Sequence, residues 1–281
     1  MDNRLRELFE RQGFVRVNSF FDKEDVERVR SDAKRVFLKQ MTTLGFIKNL
    51  DADEREFERG LFRYFSEDSE GFTNCGKTCQ HLISLHRLSL RDDVVQHLIA
   101  LGVKRPNICT RPVLYFNSRH LAKSEVYYKS PPHQDWRSMQ GSLNAMVIWV
   151  PLVDVPRELG ALEIIPGSHL WGLQDSHEDE WYRSINGPGD EQYQSVEIEA
   201  GDALFFSAFL VHRSGDNITD SIRWSCHFRY NDLEESTFVQ RKYPNPYIYK
   251  PLQELVTKDF PSVERLQKFF SGTAATASSK S

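Results

Sequence analysis

In the stretch Pro131-Pro132-His133-Gln134-Asp135-Trp136 an imidazole and a carboxylate stand two residues apart. On an extended chain residues i and i+2 project from the same face, so this pair can offer one nitrogen and one oxygen to a single point. A third candidate, His212, follows 79 residues later in Phe209-Leu210-Val211-His212-Arg213-Ser214-Gly215, beyond a Gly201-Asp202 turn and an apolar strand. Two histidines and one carboxylate on one side of a metal leave its other side open, the arrangement associated with non-haem Fe(II) oxygenases. Eleven residues beyond His212 lies Arg223, within Ile222-Arg223-Trp224-Ser225-Cys226-His227-Phe228. A guanidinium in an apolar strand is expensive to bury alone and is best explained by a carboxylate that it binds bidentately. No acidic residue falls in the strand expected over 222–230, so an external dicarboxylate suits it.

These residues need strands to carry them, and the second half of the chain supplies the pattern. After Pro106, short β-branched and aromatic runs at 113–116, 125–129, 145–153, 161–165, 195–198, 203–207 and 222–230 are separated by Gly, Pro, Asn and Asp. Strands with turn signals and no helices between them predict an antiparallel sandwich or barrel. The first 105 or so residues read instead as mainly helical. An amphipathic segment at 4–11 ends at Gly13, a short strand follows at 14–17, and a helix after Asp22 buries Val26, Val29, Ala33, Val36 and Phe37 on one stripe. The Asp22 carboxylate is expected to cap that helix. Further helices fit 54–65, 78–88 and 92–101. The polar stretch 171–192 is long for a loop and reads as a lid or rim insertion. Residues 252–270 fit closing helices, and 271–281 read as a disordered tail. The expectation is one domain over 1–270, with helical support over 1–105, a β core over 106–235 and a closing segment over 236–270.

With these motifs in order, the chain resembles the phytanoyl-CoA dioxygenase-like branch of the Fe(II)/2-oxoglutarate-dependent oxygenases. The resemblance rests on His133-x-Asp135, on Ile148-Trp149-Val150-Pro151-Leu152, on Gly160-Ala161-Leu162-Glu163-Ile164-Ile165-Pro166-Gly167-Ser168-His169, and on His212-x-Ser214 with Arg223 at plus eleven. It implies an α+β fold, mainly β, whose double-stranded β-helix (jelly roll, cupin-like) core has N-terminal helices packed on one sheet. It also implies that His133, Asp135 and His212 hold Fe(II), and that Arg223 binds the distal carboxylate of 2-oxoglutarate with Ser214 beside it and Trp149 packed against it. O₂ would be consumed, succinate and CO₂ released, and ascorbate would serve as accessory reductant. The implied outcome is hydroxylation of an unactivated C–H in a small molecule. Asp135 favours hydroxylation over halogenation, since related halogenases carry a small residue at that position.

Other residues invite plainer readings. His169 reads as turn or pocket lining, and His81, His86, His97, His120, His177 and His227 as structural histidines. Cys75, Cys79, Cys109 and Cys226 are few and unevenly spread, so they read as thiols and not as a disulfide framework. Residues 71–78 match the phosphate-loop pattern G-x-x-x-x-G-K-[ST], but the polar and acidic residues before them do not make the buried strand such a loop needs. An NTPase is therefore the lesser alternative, alongside a non-catalytic jelly roll that keeps a metal for structure.

With 36 Lys+Arg against 40 Asp+Glu and a formal net charge of −4, the chain has no global basic surface for nucleic acid or an anionic membrane. Its longest apolar run, nine residues at 145–153, is about half the roughly 18 of a membrane span. The first residues lack the apolar core of a signal peptide, so a cytoplasmic location is expected. No compact basic run adjoins the metal motif to serve a CoA phosphate. Tyr127, Tyr128, Lys129 and the insertion point instead to a polar small-molecule substrate.

Overall fold

The computed structural model describes residues 3–122, 129–178, 183–186 and 189–247. The expected closing helices, the tail, and all of the 125–129 strand except Lys129 lie outside them. Helices come first. α1 (Asn3–Gln12) leads into strand β1 (Phe14–Val17), and α2 (Lys23–Thr43), α3 (Glu54–Glu67), α4 (Ser69–Cys79), α5 (Ile83–Ser89) and α6 (Asp92–Ala100) follow. The single helix expected over 78–88 is thus two. The cap expected of Asp22 comes from its backbone: its carbonyl accepts from Asp25 and Val26, while its side chain makes no capping bond. Asp53 caps α3 in the expected way, accepting from the Glu56 amide at 2.8 Å.

The phosphate-loop match at 71–78 lies inside α4. Its first amide, Gly71, already donates to the Asp68 carboxylate at 2.9 Å, and Phe72 donates to the Asp68 carbonyl. Amides spent on an acidic cap cannot cradle a phosphate, and that alternative is set aside.

Ten further strands follow: β2 (Pro106–Ile108), β3 (Val113–Asn117), β4 (Met146–Pro151), β5 (Leu162–Ile164), β6 (Ser176–Glu178), β7 (Arg183–Ile185), β8 (Gln194–Val196), β9 (Ala203–Ser207), β10 (His212–Ser214) and β11 (Arg223–Asp232). All their pairings are antiparallel. One sheet runs β1-β9-β4-β11-β2, with β3 also on β11; a second runs β10-β5-β8. Part of the 171–192 stretch is not loop but the β6–β7 hairpin.

Strand alternation divides the interior. Met146, Ile148 and Val150 of β4, with Trp224, Cys226, Phe228 and Tyr230 of β11, join the helices in one core. The alternate residues Val147 and Trp149 face the other way, into a second core with Trp136, Leu162, Ile164 and Phe206 between the sheets. The fold is an α+β jelly roll with its helices on one sheet.

Candidate metal centre and cavity

His133 and His212 meet through a two-way antiparallel bridge: the His133 amide donates to the His212 carbonyl at 2.9 Å, and the reverse bond is 3.1 Å. Asp135 arrives by a different route from the one its spacing suggested. Its backbone is helical (φ −60°, ψ −29°), because it opens the short helix α7 (Trp136–Met139). The chain turns inward after His133, and that turn brings the carboxylate to the imidazoles.

The side chains are set for a cation. His133 Nδ1–H donates to the Pro131 carbonyl at 2.8 Å and His212 Nδ1–H to the Leu210 carbonyl at 2.9 Å. Each Nε2 is therefore left as a lone pair. Asp135 Oδ2 lies 3.7 Å from His212 Nε2, is buried, and has no hydrogen-bond partner among the described residues. One ligand atom from each residue fits within 4.8 Å of the others. Buried acceptors facing one another without a donor are costly, and a divalent ion satisfies them together.

Electrostatics keep the ligands in binding form. Burial alone would raise the Asp135 carboxyl, but Arg229, then His212 and His133, hold it well below the ordinary carboxylate range. Burial and then His133 push the His212 imidazole down to about 3, against the pull of Asp135, so it is neutral at pH 7.

Two residues to which the sequence assigned no role support the cluster. Arg229 donates to Asp135 Oδ1 through Nε at 3.2 Å and Nη2 at 2.9 Å, which leaves Oδ2 as the outward atom. Gln134, 4% exposed, donates to the carbonyls of Gly172 and Phe209 at 2.8 and 2.7 Å and accepts from the Gln174 amide at 2.8 Å. It ties the ligand turn both to the segment before the hairpin and to the loop before His212. The even spacing of Arg229 from Arg223 was the available signal, since it places both on one face of β11.

Beyond the ligands opens a cavity of about 770 Å³. Arg223, 1% exposed, donates to Ser214 Oγ at 3.3 Å and to the Gly160 carbonyl. Its guanidinium carbon sits 5.8 Å from the Tyr115 ring and 5.9 Å from the Trp149 ring. Trp149 Nε1 is buried with no partner among the described residues. The structure thus groups Arg223, Ser214 and Trp149 on the wall beside the His-Asp-His cluster. Gly160 lies at φ +80°, where a Cβ would stand 2.9 Å from the Gly215 carbonyl, so the turn that receives Arg223 requires glycine. The strand of Arg223 extends further than expected and does contain an acid, Asp232. That carboxylate is at the far end, where it accepts from the Lys104 and Arg105 amides at 2.9 Å.

His169 Nε2–H donates to the Glu10 carbonyl at 3.1 Å, and the residue takes no part in the cluster. His227, expected to be structural, lies on the cavity wall with Nε2 buried and without a partner among the described residues. The basic cluster not apparent in the sequence also exists in space: Lys77, Arg111, Arg137 and Arg229 line the same cavity from α4, the segment before β3, α7 and β11.

The family model for phytanoyl-CoA dioxygenase matches residues 9–225. The chain belongs to the phytanoyl-CoA dioxygenase family. Within the family's range of relatives, peroxisomal phytanoyl-CoA dioxygenase of Homo sapiens is 24% identical over 246 residues, covering 81% of this chain and 68% of that protein. The 1-deoxypentalenic acid 11-beta-hydroxylase of Streptomyces exfoliatus is 25% identical over 154 residues, covering 49% and 54%. Among solved structures, the epimerase SnoN in complex with Fe3+, alpha ketoglutarate and nogalamycin RO has a TM-score of 0.56 at 21% identity, covering 82% of this chain and 83% of that one. That likeness is one of fold. Among the described residues no helix is long and apolar enough to cross a membrane.

Proposed function

We propose that this chain is an Fe(II)- and 2-oxoglutarate-dependent dioxygenase that hydroxylates a C–H bond of a small organic molecule bound in the cavity, with release of succinate and CO₂. The observation that carries it is the convergence of three acceptors, the buried His212 Nε2 and Asp135 Oδ2 and the half-buried His133 Nε2, with the cationic Arg223 on the adjoining wall. In this reading residues 1–270 form one oxygenase domain, which acts in the cytoplasm.

His133, Asp135 and His212 would hold the metal. With iron(II), 2-oxoglutarate and O₂ bound there, the site gains an oxidant strong enough to remove hydrogen from an unactivated carbon. Arg223 would take the far carboxylate of 2-oxoglutarate in a charge-assisted pair, with the Ser214 hydroxyl beside it. Trp149 lines that side, and its buried Nε1–H, unpartnered among the described residues, would donate to an oxygen of the cosubstrate. The apolar faces of Phe72, Leu114, Phe116 and Leu162 limit water in the cavity during turnover.

Anaerobic addition of Fe(II) and 2-oxoglutarate tests the reading. A weak visible charge-transfer band is expected, absent in His133→Ala and Asp135→Ala; a spectrum unaffected by either substitution would refute the assignment. Succinate release across a metabolite panel, followed by mass spectrometry for a gain of one oxygen, then identifies the substrate.

A further inference from the structure

Among the described residues, five cationic side chains line the cavity, Lys77, Arg111, Arg137, Arg223 and Arg229, against one carboxylate, that of Asp135. An Fe(II) ion and a 2-oxoglutarate dianion cancel each other's charge, so the positive excess remains when both are bound. A low-dielectric cavity that holds such an excess is complementary to an anion.

The structure shows where the anion would sit. Arg229 is 8% exposed and spends Nε and Nη2 on Asp135, yet its Nη1 is buried and has no hydrogen-bond partner among the described residues. An unsatisfied N–H on a buried guanidinium is costly, and Arg229 lines the cavity where a ligand can satisfy it. His227 Nε2, two residues away on the same face of β11, is likewise buried and unpartnered. Arg111 lies alongside: Cys109 donates to the Arg229 carbonyl at 2.9 Å and Val113 is in register with His227, so the residue between them runs past this part of β11. Arg111 lines the cavity and donates through Nε to Gln80 Oε1 at 3.0 Å.

On the oxygenase reading, we infer that the substrate is a carboxylic acid with an apolar body, and that Arg229 and Arg111 receive its carboxylate beside the metal ligands. The depth of Arg229 selects a small planar group: one nitrogen of a guanidinium otherwise committed to Asp135 suits a carboxylate oxygen, whereas a bulky nucleotide diphosphate would have to stay at the rim. Leu114, Phe116, Leu121 and Ile185 offer the apolar wall for the remainder.

The test uses the Fe(II)–2-oxoglutarate protein without oxygen. Decanoate, 3-phenylpropanoate and cholate are titrated against their primary amides and against decanoyl-CoA, with the visible band and calorimetry as readouts. At least one acid is expected to bind about tenfold or more tighter than its amide. Arg111→Gln and Arg229→Gln should each cut that preference below about threefold, with 2-oxoglutarate affinity in Arg111→Gln kept within about threefold. Acids no tighter than amides, no acid binding at all, decanoyl-CoA tighter than decanoate, or an Arg111→Gln loss that falls on 2-oxoglutarate would each overturn the inference. Failure of the band itself would count against the oxygenase reading, and calorimetry would still score acid against amide.

Discussion

His133 and His212, 79 residues apart in sequence, are each other's backbone partners: each amide donates to the other's carbonyl, at 2.9 and 3.1 Å. That pair of bonds joins the two main chains, the Nδ1–H bonds to Pro131 and Leu210 orient the imidazoles, and the ring centroids lie 4.2 Å apart. The carboxylate is the ligand that depends on other side chains.

Removing a ligand should abolish metal binding and leave the fold in place. In His133→Ala or Asp135→Ala, Co(II) used as a spectroscopic substitute should bind at least about 100-fold more weakly than in the parent protein, while far-UV circular dichroism is unchanged. Retention of tight Co(II) binding in both variants would place the metal elsewhere.

Arg223→Met should raise the KM for 2-oxoglutarate by about tenfold or more, because a charge-assisted bidentate contact becomes an apolar one. Ser214→Ala should act in the same direction and by less, since the hydroxyl contributes one neutral hydrogen bond. If 2-oxoglutarate affinity is untouched and only iron is lost, Arg223 supports the centre instead of the cosubstrate.

Gln134→Leu preserves the approximate size and removes three hydrogen bonds. Loss of these bonds to the Phe209 carbonyl and the Gln174 amide, and of one of the two donors to the Gly172 carbonyl, should lower stability by about 2–4 kcal/mol, read as a drop in Tm of several degrees. Metal affinity should fall with it, since the same amide ties down the turn between His133 and Asp135. Unchanged Tm and unchanged Co(II) binding would make Gln134 a bystander.

Stability should fall as the pH drops from 7.5 to 5. Burial holds both His169 and His227 below the ordinary imidazole value, His227 by much more. In the unfolded chain both take up protons near pH 6.5, while the folded chain resists until lower pH, so protons favour unfolding through this window. Glu58, half-buried and shifted upward by burial, opposes the trend at the acid end of the range. His169→Asn and His227→Asn should each flatten the Tm profile, and a parent Tm that is flat or rises toward pH 5 would contradict the sign.

The barrel and its helical support were readable because hydrophobic periodicity depends on which face of an element is buried, and the strands at 113–117, 146–151 and 203–207 lie almost where alternation placed them. The short strands Pro106–Ile108 and His212–Ser214 are too brief for alternation to declare itself. The three residues of the His-Asp-His cluster were legible from type and order, but the backbone geometry of Asp135 was not, since a helical turn and a strand look alike over three residues. Gln134 was silent, and Arg229 offered only its even spacing from Arg223, because their importance lies in partners distant in sequence: Asp135 is 94 positions from Arg229, and Gly172 is 38 from Gln134. The basic cavity lining was invisible for the same reason, drawn as it is from four separate elements.

Strand β11 carries Trp224, Cys226, Phe228 and Tyr230 on the side of the helices and Arg223, Ser225, His227 and Arg229 on the side of the cavity. Along β11, each of these core residues is thus a chain neighbour of one that faces the cavity. Heat tolerance and turnover should therefore be coupled through this strand: a variant that loosens Phe228 should lose cosubstrate grip before it unfolds, and a more thermostable helical layer would reshape the cavity wall as well.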